Sequence, residues 1–181
     1  MAEPPDLADL KDQLAVETLI ADVSAKLAAT TDQAFASALE TALEMTARFS
    51  GADRGQLLSV HAPPFEVRVL HAWCAASVES SGGAGPALNL AEHTPWAADL
   101  TVTKRQPLVM NAVDELPAEA QRDRTSFTAR GVRSAVWVPI AIGSDLRYSG
   151  LRASGMDGGE QNPRSQTRLA PTPAHRRRAA L

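Results

Sequence analysis

Apolar residues recur every three to five positions along residues 6–29, which predicts an amphipathic helix. Thr31-Asp32 predicts the start of a second helix. Ser50-Gly51 predicts its end, because glycine readily adopts the left-handed conformation that closes many helices. One face of the second helix is expected to carry Phe35, Leu39, Leu43 and Thr46. The first fifty residues therefore predict a pair of helices.

Alternating and β-branched runs predict four strands beyond the helix pair, at residues 54–61, 65–73, 107–110 and 134–142. The second run alternates strictly, which predicts one face made of Phe65, Val67, Val69, His71 and Trp73. The fourth run is apolar on both faces and predicts a strand covered on two sides. Because Pro139 has no N–H to donate, a bulge or an unpaired side is expected there.

Proline and glycine mark the remaining elements. Thr94 as the N-cap and Pro95 as the first helical residue predict a short helix. Pro117 predicts the start of a further helix, with Gly131 as its C-terminal cap. The glycine-rich stretch at 75–90 predicts a loop. These elements, with an apolar strand covered on both faces, predict one soluble α/β domain.

Composition restricts the class of protein. The chain has 181 residues, of which 44% are hydrophobic, and this is enough for one core. No run approaches 18 apolar residues and the N-terminus lacks a basic segment followed by an apolar one, so neither a membrane span nor a secretory signal is expected. The single cysteine excludes an internal disulfide and a cysteine-rich zinc site. These features favour a cytoplasmic location.

Charge is divided unevenly along the chain. The net charge is −3, with an excess of eight acidic residues over 1–146 and an excess of five basic residues, all of the basic ones arginine, over 147–181. The basic segment contains one aromatic residue, Tyr148, so base stacking lacks its usual platform. A nucleic-acid partner is therefore not expected.

Several short segments, in order, resemble a GAF domain, the small sensory module of bacterial signalling proteins. The resemblance covers roughly residues 15–150. It is carried by Gly51-Ala-Asp-Arg54, Pro95-Trp96, the segment 113–120, Gly131-Val-Arg-Ser134, Val138-Pro139-Ile140, Gly143 and Gly150.

The resemblance implies a fold of the α+β class, an α/β sandwich. Its twisted antiparallel sheet has terminal helices on one face and loops and short helices on the other. The resemblance also implies a ligand pocket beneath those loops, dimerisation through the terminal helices, and a non-catalytic sensory role. The implied partners are a small molecule, a second copy of the chain and a signalling output protein. A Cys74-dependent thiol reductase and a degenerate sensor fragment remain the alternatives.

Residues 151–181 depart from the family pattern. They are rich in glycine, proline, serine and arginine, and they show neither a helical nor a strand periodicity. We expect a disordered tail there, from a truncated or out-of-frame ending of a longer sensor gene. The predicted organisation is then an N-terminal helical extension at 1–14, a GAF-like domain at 15–150 and the tail at 151–181.

The candidate ligand-binding residues are mostly aromatic or polar: Trp73, Cys74, His93, Trp96, Phe127, Arg133 and Trp137. Core packing is the competing interpretation for the aromatic residues, and it is favoured for Phe127 and Trp137. Arg133 is expected either to bind a ligand anion or to pair with Asp114 or Asp123. Cys74 is expected to fill space, because His71 lies on the opposite side of the same strand.

No catalytic or metal-binding residue is predicted, since no two histidines have helical i, i+4 spacing. No motif for haem, bilin or cyclic nucleotide is recognised, so the cofactor stays unspecified. The candidate dimer residues lie along the first helix: Leu10, Leu14, Ile20, Val23 and Leu27.

Overall fold

Two antiparallel helices open the chain. A computed structural model of the protein describes residues 7–61, 65–76, 78, 88–142 and 145–154. Helix α1 spans Leu7–Ala28 and helix α2 spans Phe35–Phe49, with a 3-10 turn at Asp32–Ala34 before α2. At the end of α2, Gly51 has φ +69° and its N–H donates to the carbonyl of Arg48, so the predicted glycine cap is confirmed.

Within the described residues, six strands form one antiparallel sheet, which confirms the predicted α+β class. They are β1 Arg54–Val60, β2 Glu66–Cys74, β3 Leu88–Asn89, β4 Leu108–Met110, β5 Val132–Ile142 and β6 Asp145–Ser154. Their order across the sheet is β3-β2-β1-β6-β5-β4. Strand β6 was not predicted, and it continues four residues past position 150. It forms because both of its edges are paired, with β1 and with β5, and this compensates for a sequence of weak strand character.

Helix α2 packs on β1 and β2 through small side chains. Its buried residues are Ala38, Ala42, Leu43 and Ala47. A Cβ at Gly55 of β1 would lie 3.0 Å from the carbonyl oxygen of Leu43, so helix and strand are close together here. Of the residues predicted to share one face of α2, Leu43 is buried whereas Phe35 is 47% exposed. The small alanine side chains allow α2 to lie close to the sheet, whereas the larger ring of Phe35 stays at the surface.

Three short helices cover the other face of the sheet: α3 Leu90–His93, α4 Pro95–Ala98 and α5 Gln121–Ala129. The helix predicted from Pro117 begins as a 3-10 turn at Ala118–Ala120 before it becomes α5. Its predicted cap is confirmed, since Gly131 has φ +64° and donates to the carbonyl of Thr128. Residue 77 and residues 79–87 of the predicted loop lie outside the described residues, as do residues 155–181 of the predicted tail.

The predicted faces of β2 are wrong for part of the strand, because the strand contains a β-bulge. In the pairing of β1 with β2 the register shifts between Leu57 and Leu58, so Leu57 pairs with His71 and Leu58 pairs with Val69. Strand β2 thus has one residue more than β1 at this point, and the side chains of β2 after it point to the opposite faces from those predicted. Val67 therefore packs with the short helices. Trp73 pairs with Gly55 on the α2 face, and its ring centroid lies 5.3 Å from the guanidinium carbon of Arg48.

Strand β5 accommodates Pro139 where one edge lacks a partner. Strand β4 pairs only with Ala135–Trp137, so among the described strands none pairs with this edge of β5 at Pro139. The unpaired side that the sequence predicts is thus confirmed, and the bulge of β5 lies elsewhere, between Val132 and Ser134. Within the described residues, no helix is both long enough and apolar enough to span a bilayer.

Candidate functional site

Three of the candidate aromatic residues converge between the sheet and the short helices. Phe127 of α5 is 3% exposed, and its ring meets that of Trp137 of β5 edge to face, with centroids 5.7 Å apart and planes at 73°. Trp96 of α4 and Trp137 both pack against the buried cluster around Phe127. Trp137 also contacts a second cluster around Val67 and Leu90, so its indole joins the two halves of this layer.

A buried carboxylate holds α4 in place. Asp123 of α5 is fully buried, and its two oxygens accept hydrogen bonds from the backbone N–H groups of Trp96, at 3.2 Å, and Ala97, at 2.8 Å. These N–H groups have no partner within the helix because they belong to its first turn. Thr94 occupies the N-cap position and Pro95 begins the helix, as the sequence predicts, but the side chain of Thr94 makes no capping bond to α4.

One sequence signal could have identified Asp123. It precedes Phe127 by four residues, so the two side chains share one face of α5. A carboxylate on the same helical face as a core aromatic residue must find donors inside the protein. The sequence suggests Asp123 as a partner for Arg133, whereas in the structure its carboxylate accepts hydrogen bonds from the first turn of α4.

Helix α4 continues directly into an irregular helical turn. We call the two together, residues 95–103, the roof helix. Residues Asp99–Thr103 form a π-helical turn, and the hydroxyl of the buried Thr101 donates to the carbonyl of Ala97 at 2.7 Å. Leu100 and Val102 pack against the two clusters below. Single π-helical turns occur frequently at functional sites. The roof helix is therefore an irregular segment anchored from beneath by one carboxylate.

The other candidate residues do not join this group. Trp73 lies on the opposite face of the sheet, beside Arg48. Cys74 is half-buried at the end of β2, in register with Arg54, and His71 pairs three residues away with Leu57. His93 ends α3 and is half-buried, directly before the roof helix, whereas Arg133 is exposed at the bulge of β5.

A metal centre finds no support in the part of the chain that the structure describes, since no three His, Cys, Asp or Glu side chains are grouped there to hold an ion. The site is instead apolar and aromatic, with Asp123 and Thr101 engaged by backbone.

The sheet is covered by short helices on one face and by longer helices on the other, and this architecture matches that of GAF domains of known structure. No family model matches the chain, and no curated protein matches it in sequence. It is similar in structure to the phycoerythrobilin-bound GAF domain of a cyanobacterial phytochrome, with a TM-score of 0.60 and 14% identity over 82% of this chain and 86% of that one.

Two further structures agree. The photosensory core module of the Stigmatella aurantiaca phytochrome has a TM-score of 0.60 at 12% identity, and the match covers 85% of this chain but 33% of that module. The GAF domain of an Acinetobacter phosphoenolpyruvate-protein phosphotransferase has a TM-score of 0.52 at 11% identity over 78% of each chain. The protein has the fold of a GAF domain, as the sequence motifs predicted.

Proposed function

We propose that this chain is a non-catalytic sensory module of a cytoplasmic bacterial signalling protein, which binds a small molecule beneath the roof helix. The observation that carries the proposal is the grouping of Phe127 and Trp137 with Trp96 of the roof helix in a GAF fold, where Asp123 holds that helix in place. Ligand binding would favour one position of the roof helix and, through the sheet, one arrangement of α1 and α2.

The lining indicates the class of ligand. Aromatic faces and edges favour a planar conjugated molecule, because such a molecule can stack on an indole and bury its apolar surface. A bilin, the ligand of the cyanobacterial phytochrome GAF domain, is of this type. The thiol-reductase alternative is not favoured, because Cys74 and His71 pair with positions on opposite faces of the sheet.

Phycoerythrobilin should quench the tryptophan fluorescence of the protein and raise its melting midpoint. The Trp137→Phe substitution is expected to weaken this binding by about tenfold, since the larger indole surface is lost. The measurement is a fluorescence titration of each variant. Trp73→Phe serves as the matched control, because Trp73 lies on the opposite face of the sheet.

The outcomes separate two parts of the proposal. Equal affinities for Trp137→Phe and Trp73→Phe would contradict a site beneath the roof helix. Absence of binding to the wild type would exclude this bilin as the ligand. Native mass spectrometry of the protein from its own host would then decide whether any small molecule is bound.

We also propose that the protein forms a homodimer through α1. Among the candidate interface residues, Leu10, Leu14 and Ile20 are 47%, 64% and 59% exposed, and Leu7 before them is 64% exposed. Val23 and Leu27 are half-buried, with Leu19 on the same side of a helix that packs on α2. So much exposed leucine on one helix is typical of an association surface.

Replacing both Leu10 and Leu14 by lysine should convert the dimer to a monomer, since burial of a lysine charge in an apolar interface is unfavourable. The dissociation constant is expected to rise by about tenfold or more, measured by light scattering over a concentration series. Leu70→Lys is the control, because Leu70 is 44% exposed and belongs to β2 rather than to α1. A wild-type protein that stays monomeric at high micromolar concentration would rule out the dimer.

A further inference from the structure

One row of paired residues crosses the sheet on the face that the short helices cover. Gln56 of β1 pairs with Gly150 of β6, and Gly150 pairs with Trp137 of β5. Residues paired directly across strands face the same side of a sheet, so the side chain of Gln56 lies on the same face as that of Trp137. The floor of the candidate site therefore reaches β1 at Gln56.

Gly150 leaves room for the indole of Trp137 between the two other members of this row. A Cβ added at position 150 would lie 3.2 Å from Cδ1 and 3.5 Å from Nε1 of Trp137. These two atoms belong to the N–H edge of the indole, so that edge lies over the glycine. Because neighbouring strands are about 4.8 Å apart, Gln56 lies one strand beyond it. A single glycine thus separates the indole N–H from the position of Gln56.

The polar groups of Gln56 and Trp137 have no partner in the described part of the chain. Both side chains are half-buried, and neither the amide of Gln56 nor the indole N–H of Trp137 makes a hydrogen bond there. Leu58, two residues along β1, packs into the apolar cluster that Trp137 also contacts. Arg54, two residues before Gln56, is buried and has interactions of its own. Two hydrogen-bonding groups therefore remain available beside an apolar surface.

The chemistry of these two groups defines the molecule that fits them. A primary amide such as that of Gln56 presents an N–H donor and a carbonyl acceptor side by side. Its complement is a ring amide, a lactam, in which N–H and C=O are also adjacent. The indole of Trp137 supplies a flat apolar face and one further N–H donor. A planar ring with a lactam edge can therefore satisfy both side chains at once.

We propose that Gln56 and Trp137 bind the lactam edge of a planar nitrogen heterocycle, with the ring against the indole and the lactam N–H and C=O paired with the amide of Gln56. The space over Gly150 keeps the indole close enough to Gln56 for one ligand to reach both. This inference rests on the proposed site beneath the roof helix. It adds Gln56 as a binding residue and names the chemical class of the ligand.

A matched pair of ring compounds tests the lactam pairing. Quinolin-2-one has the lactam edge, whereas 2-methoxyquinoline has the same ring system without the N–H donor. We expect the wild type to bind quinolin-2-one about tenfold more tightly, as measured by ligand-observed NMR titration. Gln56→Leu, which is apolar and of similar size, should reduce this ratio to about one while its melting midpoint stays close to that of the wild type. Equal affinities of the wild type for the two compounds would overturn the inference.

Two tryptophan variants separate the lactam pairing from the site itself. Trp137→Phe should weaken the binding of both compounds, whereas Trp73→Phe, on the opposite face of the sheet, should weaken neither. If Trp137→Phe weakens both compounds but Gln56→Leu leaves their ratio unchanged, the aromatic site is supported and the lactam pairing is wrong. Tighter binding of 2-naphthoate than of quinolin-2-one would overturn the pairing in favour of a carboxylate. If neither quinoline compound binds, the inference fails, and the phycoerythrobilin titration decides separately whether the site accepts another ligand.

Discussion

Replacing Asp123 with asparagine will destabilise the protein by about 3 kcal/mol, because a buried charged acceptor of two backbone hydrogen bonds is lost. The amide can accept from one N–H group, but its NH2 then faces the other, which leaves a buried donor without a partner. For a domain of this size the melting midpoint should fall by about 9 °C, as followed by circular dichroism.

Asp99→Asn is the matched control on the same roof helix. Asp99 pairs with Lys104 at 2.7 Å, but both side chains are at least half exposed, so the substitution should change stability by less than about 0.5 kcal/mol. If both variants melt at similar temperatures, the carboxylate of Asp123 does not anchor the roof helix. If Asp123→Asn is destabilised, it should also bind the bilin more weakly, since the position of Trp96 depends on the same bonds.

Gly55→Val should destabilise the protein by about 3 kcal/mol through overpacking. A Cβ at this position already lies 3.0 Å from the carbonyl oxygen and 3.3 Å from the Cβ of Leu43, and valine adds two methyl groups beyond it. The obstructing oxygen belongs to the backbone of α2, so it cannot move aside as the end of a side chain can. Urea unfolding would report the loss as a lower midpoint at unchanged slope.

Gly131→Asn shows whether loss of a glycine alone is harmful. Gly131 has φ +64°, a Cβ added there would meet no atom of the described residues within 4 Å, and asparagine tolerates this backbone conformation. We expect a change within about 0.5 kcal/mol. If Gly55→Val were as stable as this control, close contact between α2 and β1 could not be the reason for glycine at position 55.

Much of the secondary structure could be predicted because it depends on local pattern. The helix periods of α1 and α2, the β-branched run of β5 and the glycine caps at Gly51 and Gly131 all act within a few residues of chain. Strand β6 could not be predicted in this way. Its Arg, Ser and Gly residues have weak strand preference, and β6 is extended because β1 and β5 pair with both of its edges.

Part of the candidate site could also be predicted from the sequence, because the residue types that compose it can be read from the local pattern. The sequence predicts Trp96, Phe127 and Trp137 as candidate ligand-binding residues, with core packing favoured for Phe127 and Trp137, and the structure groups all three. Trp73 was singled out on equal grounds, but the bulge between Leu57 and Leu58 places it on the other face. One extra residue reverses every later side chain of the strand, and an alternation pattern alone does not reveal it.

By itself the sequence determined the class of fold, the approximate elements and the apolar residues available for a core, since these follow from local preference and periodicity. Only the tertiary structure decided that Asp123 caps α4 from 26 residues away, that Gly55 lies against α2, and that Val109 and Val138 remain exposed. Each of these depends on which surfaces meet after the chain has folded, and the hydrogen bonds and contacts involved join residues far apart in sequence.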